Sequence, residues 1–163
     1  DETSVSYVDF KLTLQQSSNP QAILDDLGVV ATNGRRIPKT RGSWDGTPGE
    51  SVWKSDKVEV NEITGGKGVP FKNGYPDFSE WALDSYPVEG LVGRNETDFA
   101  KVYKKMVDNP NYDFKTQDEV KKWLSDNKIT LHHHQDGLTI QLVPRDLHGN
   151  IPHSGGAAIL RNK

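Results

Sequence analysis

The chain of 163 residues contains no cysteine. That excludes a disulfide framework, a thiolate metal site and a cysteine nucleophile. A cysteine-free chain works in an oxidising or a reducing compartment, which suits a protein that crosses envelopes and an ordinary cytosolic one alike. No apolar run approaches the roughly 18 residues needed to span a membrane. The opening Asp1-Glu2-Thr3-Ser4 has neither the basic start nor the apolar stretch of a secretory leader. Methionine is scarce too: Met106 is the only one, and a chain that opens without Met is what a piece cut from a longer protein would look like. There is no basic excess, with 20 Lys and Arg against 23 Asp and Glu for a net charge of −3. This argues against a protein built to coat nucleic acid but leaves room for an enzyme with a local basic cleft. A Walker loop, a dinucleotide fingerprint and a serine nucleophile elbow are also missing; Gly65-Gly66-Lys67-Gly68 is rich in glycine without the phosphate-loop spacing.

The hydrophobic share is 33%, low for a globular chain, while 15 Gly and 9 Pro indicate many turns rather than disorder. The length suits one domain, with or without an N-terminal extension. Val8, Phe10, Leu12 and Leu14 alternate as a strand does, and Asn19-Pro20 opens a short helix through Leu27 that Gly28 ends. Residues 33–49 read as a loop, Val58, Val60 and Ile63 as a strand, and residues 65–77 as turns. Asn95 to Asp98 cap a helix carrying Phe99, Val102, Tyr103 and Met106, which Pro110 bars from continuing. Thr116-Gln117-Asp118-Glu119 is a capping box ahead of Val120, Trp123 and Leu124. Aromatic residues at this spacing pack a core far more often than they bind a ligand. Then come a strand at 129–131, an Asp136-Gly137 turn, a strand at 138–143, a short helix begun by Pro144 and running to His148, and a final helical stretch that Ser154 can cap.

All five histidines fall between positions 132 and 153. Imidazole is the commonest metal ligand among side chains and suits borderline divalent ions. Adjacent side chains of a strand point opposite ways, so His132 and His133 cannot share one role unless the strand bends: one can hold a metal while the other faces substrate. A purification tag does not fit, because the run is internal and flanked by apolar, β-prone residues. A structural zinc site and a solvated His-rich loop remain competing readings of the spacing alone.

The stretch LHHHQDGLTIQLVPRDLHGNIPHSGGAA resembles the nuclease domains of bacterial polymorphic toxins in the HNH/endonuclease VII superfamily, nearest the subgroups named for a WHH or LHH motif. The likeness rests on the doubled His after a bulky apolar residue, then QDG, QLVP, a further His, and His153-Ser154-Gly155-Gly156. Weaker likeness reaches upstream through Gly93–Phe99, Gly74–Ser79 and Arg41–Trp53, so it covers roughly residues 41–160. It implies an α+β fold with a ββα-metal (HNH-like) catalytic unit at the C-terminus and an N-terminal α/β elaboration. In domains, that is an extension over 1–40 and a nuclease domain over 41–163 with its core at about 129–160.

By the same resemblance, His132, His148 and His153 would ligate one divalent ion, zinc or magnesium ahead of nickel or manganese. His133 would be the general base, taking a proton from the water that attacks a backbone phosphorus. Gln141 falls near the place where such enzymes carry a residue that orients the base. Arg145 would clamp a phosphate, unless it is only an exposed surface arginine. His134, Gln135 and Asp136 would support, although turn formation explains Asp136 nearly as well. Basic runs at Arg35, Arg36, Lys39 and Arg41 and at Lys101, Lys104, Lys105, Lys121 and Lys122 can meet phosphate or be solvated faces; neither shows base-reading chemistry.

The implied protein is a metal-dependent endonuclease of low sequence specificity, a DNase ahead of an RNase of the same fold. It would be a secreted or delivered effector domain acting in the target-cell cytoplasm and travelling with a cognate immunity protein. The rival is a non-catalytic structural zinc-binding interaction module, whose closed site would hold four protein ligands.

Overall fold

A computed structural model describes residues 36–161. The strand expected around Val8–Leu14 and the helix expected from Asn19 to Leu27 lie outside these residues. The described part is mixed α+β. Its first sheet has four strands in the order β1 (Gly42–Trp44), β2 (Val52–Ser55), β3 (Val69–Lys72) and β4 (Tyr75–Pro76). Its second has three, with β7 (Thr139–Pro144) lying between β5 (Asp84–Pro87) and β6 (Ile129–His133). Both sheets are antiparallel throughout.

The first sheet departs from the sequence reading. Residues 42–44, expected in a loop, form β1, because Trp44 pairs with Trp53 in register and their rings meet at 5.2 Å. Residues 69–76, expected as turns alone, form a β3–β4 hairpin. Asn73 and Gly74 close it with φ of 53° and 78°, the two left-handed residues that a two-residue hairpin turn matching strand twist requires.

The segment expected as a strand around Val58 and Val60 is instead helix α1 (Val58–Thr64). The apparent alternation misleads because Val58 is 67% exposed. The buried set is Val60 and Thr64, with Ile63 packed beside them, and that is the i, i+3, i+4 face of a helix. Gly65, left-handed at φ 68°, ends the helix by returning its N–H to the carbonyl of Asn61.

Strand β5 is not expected from the sequence; from Asn95 onward the elements follow the expected order. Helix α2 (Asn95–Asp108) and helix α3 (Gln117–Asp126) pack against the second sheet. Thr116 caps α3 by accepting the N–H of Glu119, the expected box. After β6 and β7 come the single-turn α4 (Arg145–His148) and the closing α5 (Gly156–Arg161).

Strand alternation divides β7 between two cores. Ile140 and Leu142 join Leu131, Val102, Met106, Val120 and Leu124 in a core with α2 and α3. Val143 turns the other way and, with Leu147 and Ile151, packs on Trp53, Val60, Val69, Phe71 and Phe78 of the first half. The second core fixes α4, and with it the histidines that follow β7.

Candidate functional site

His132 and His133 end β6, opposite Gln141 and Ile140 of β7. Both are buried, at 3% and 4% exposure, which removes the solvated-loop reading. The strand does not bend to bring them together, and their rings enter different surroundings as the alternation requires.

The His132 ring meets His148 and His153. Nδ1 of His132 lies 3.2 Å from Nε2 of His148, which lies 3.2 Å from Nε2 of His153. One nitrogen from each residue lies within 4.8 Å of the others. Phe78, wholly buried, underlies all three rings, with centroids 5.0 Å, 5.8 Å and 5.3 Å from those of His132, His148 and His153. Single-turn α4 places His148, and the turn through Ile151 and Pro152 returns His153 to it. Nδ1 of His153 donates to the carbonyl of Ile151 at 2.6 Å, which leaves Nε2 with its lone pair aimed at its partners.

The trio fits a metal ion. Nitrogens about 2.1 Å from a common tetrahedral ion stand about 3.4 Å apart, close to the two spacings here. Nε2 of His148 faces two ring nitrogens at equal distance, and a single ring proton directed in-plane serves only one well. The ligands are also held in the form a metal needs. Burial, then repulsion from His153, His148, His134 and His133, keeps His132 well below the usual imidazole range. Burial and His153 bring His148 down to about 4. His153 is lowered by burial, against the upward pull of its Ile151 bond and with a further push from Arg36.

On the opposite face, Nε2 of His133 lies 2.8 Å from Oδ2 of Asp98, a fully buried carboxylate. Phe99 lies over the His133 ring at 5.3 Å. The loop before α2 holds Asp98 as well: the N–H of Val92 donates to Oδ1 at 3.1 Å and that of Gly93 to Oδ2 at 2.8 Å. Burial alone would raise this carboxyl, but the bonds from His133, Val92 and Gly93 outweigh it and hold it below the ordinary aspartate value.

Asp98 is the residue the sequence reading passed over as part of a helix cap. Its signal was present, since positions 98, 102 and 106 lie four apart and Val102 and Met106 are core. A carboxylate on a buried stripe needs a partner.

The other expected residues stand elsewhere. Gln141 pairs across the ladder from His132 and donates to Oγ of Ser79 at 3.0 Å; the group on His133 is Asp98, not Gln141. Arg145 is exposed at the start of α4, where its guanidinium donates to the Ser125 carbonyl at 3.2 Å. Asp136 spends both oxygens on its own turn, accepting from the N–H groups of Leu138 and Thr139 and from the Thr139 hydroxyl. Among the described residues, Nδ1 of His134 and the side-chain oxygens of Gln135 and Gln141 are buried without a hydrogen-bond partner. Gly155 and Gly156 let α5 sit directly on the histidine strand: a Cβ on Gly155 would approach the His133 carbonyl oxygen and the His132 ring at 3.3 and 3.4 Å.

An α+β domain with a partly buried three-histidine site able to hold a metal ion is the class these observations define. Residues 69–155, more than half of the chain, match the family model of the DNase/tRNase domain of colicin-like bacteriocins. The chain belongs to that family, one of nuclease toxin domains. No curated protein matches it.

Proposed function

We propose that the chain is a metal-dependent endonuclease toxin domain of the HNH type, with β6, β7 and α4 as its ββα-metal unit. The observation that carries this reading is the pairing of a three-histidine cluster on one side of β6 with a separately held histidine, His133, on the other. His132, His148 and His153 would hold the ion. Three protein nitrogens leave a tetrahedral ion one open position, whereas a purely structural zinc site closes all four. An all-imidazole donor set favours zinc or another borderline ion such as nickel over magnesium, which prefers oxygen.

His133 acts as general base. It takes a proton from water as the water oxygen bonds to phosphorus, and the bond from phosphorus to the departing oxygen breaks. The chemistry that a bound ion supplies is neutralisation of charge on a phosphate oxygen and on the leaving oxygen. The Gln141–Ser79 bond sits across the ladder from His132 and steadies that side of the strand. Arg145, exposed on α4, contributes at most a phosphate contact outside the metal centre, and His134, Gln135 and Asp136 shape the turn beside it.

The substrate is DNA ahead of RNA, cut with little regard to sequence. Lysines rather than base-reading side chains supply the basic surface, and Lys101, Lys104 and Lys105 line a hollow of about 1020 Å³ with Gly137 and Leu138 of the β6–β7 turn. No helix among the described residues is long and apolar enough to cross a membrane. As in other toxins of this kind, action falls in the cytoplasm of a target cell, and a cognate immunity protein protects the producer.

Plasmid DNA and RNA, each incubated with the protein plus zinc, magnesium or chelator, test the reading. Cleavage that needs a divalent ion and vanishes in His133→Ala is expected. Intact DNA and RNA with every metal would overturn it.

A further inference from the structure

From the contact between the two buried side chains, we infer that Asp98 is a positioning residue that fixes the proton of His133 on Nε2 and so makes Nδ1 the atom that takes the proton from water. This rests on the assignment of His133 as base. The carboxylate offers only acceptor oxygens, so the group facing it at 2.8 Å must donate: Nε2 of His133 carries a proton, and in the neutral ring the lone pair then sits on Nδ1. Asp98 cannot swing away, because the N–H groups of Val92 and Gly93 grip both of its oxygens. Gly93 is itself fixed from α5, where Arg161 donates to its carbonyl at 2.8 Å. Phe99, one residue beyond Asp98 on α2, flanks the same ring. One helix turn thus supplies both the hydrogen-bond partner and the apolar wall of the imidazole.

A loop clamp alone would explain the bonds from Val92 and Gly93. It does not explain why Oδ2 also meets a histidine 35 positions away on a strand whose neighbouring residue joins the three-histidine cluster. The arrangement orients a base through a buried carboxylate, and it also holds the imidazolium that forms once the proton has moved.

Nε2 of His133 and the N–H of Gly93 both address Oδ2, so an asparagine would keep its amide oxygen there and the tautomer with it; Asp98→Ala removes the acceptor. Nitrogen-15 NMR of the full chain at neutral pH, with His133 assigned by its loss in His133→Ala, is expected to show Nε2 protonated in the native protein and a mixture of the two ring tautomers in Asp98→Ala. A native ring protonated on Nδ1 alone overturns the inference, and this reading needs neither metal nor activity. In plasmid cleavage with zinc, Asp98→Ala is expected to lower kcat on the order of 10³-fold with little change in KM. The double variant should be no slower than His133→Ala alone, because both changes disable one unit. Native activity in Asp98→Ala beside an inactive His133→Ala would overturn the part given to Asp98. Native activity in His133→Ala would instead overturn the base assignment on which it rests.

Discussion

A Cβ on Gly156 would fall 1.8 Å from the carbonyl oxygen of His134. The first residue of α5 therefore touches the backbone that follows the paired histidines, and only a residue without a side chain fits. Gly156→Ala is expected to push α5 off the strand and to destabilise the fold by roughly 1–3 kcal/mol, as overpacking does. For a chain of this size that lowers the thermal midpoint by several degrees, at roughly 2–4 °C per kcal/mol. Thermal unfolding followed by circular dichroism checks it; an unchanged midpoint would show that α5 does not pack as described.

His148 is the shared member of the trio, its Nε2 facing both partners. His148→Ala should weaken zinc binding by more than the roughly 10- to 100-fold typical of losing a residue that merely supports a ligand. Calorimetric titration of the metal-free protein measures this directly. Near-native affinity would place the ion elsewhere.

Metal-free stability should depend on pH through the same residues. His148 titrates near 4 in the folded chain and near 6.5 when unfolded. Between these values the unfolded state binds more protons, so stability rises with pH across this window and falls as pH drops from about 6.5 towards 4. The scale is about 1.4 kcal/mol for each unit of separation. Burial of His132 and His153 lowers both and adds in the same direction. Urea unfolding of the chelated protein at pH 7, 6 and 5 is expected to give successively lower midpoints. Bound zinc should raise all of them, with the increment shrinking as protons compete for the ring nitrogens.

Phe78 carries the three rings and is wholly buried. Phe78→Ala should cost about 3–5 kcal/mol through the cavity it leaves. Because that cavity lies against the ligands, zinc affinity should fall together with stability. Chemical unfolding and zinc titration of one preparation test the pair, and a stability loss with unaltered affinity would show that the rings hold their places without this support.

The second half of the domain was legible because its signals are local. The Thr116 box, the α2 stripe, the Asp136-Gly137 turn and Pro144 each declare an element within a few residues. The first sheet was hidden because its strands are two to four residues long and depend on partners distant in sequence; Trp44 forms a strand only where Trp53 lies opposite. Val58 and Val60 imitated a strand because one of them faces solvent. Within the site, the histidines could be named from composition and were sorted by resemblance into the trio and the separate residue that the structure groups; strand alternation alone separated only His132 from His133. The return of His153 past Pro152 and the approach of Asp98 across 35 positions are tertiary facts. The Asp98 spacing was visible, and a charged residue in step with Val102 and Met106 could have marked it.

The cluster containing Phe78 also contains Trp44, Trp53 and Trp81, leaving Trp123 as the one tryptophan in the other core. Three of the four indoles therefore lie in the core whose Phe78 carries the histidine trio. The molecule carries its own optical reporter: ion occupancy, ligand substitution and loosening of that core can be followed in the unlabelled chain, with Trp123 as an internal reference in the core around α2 and α3.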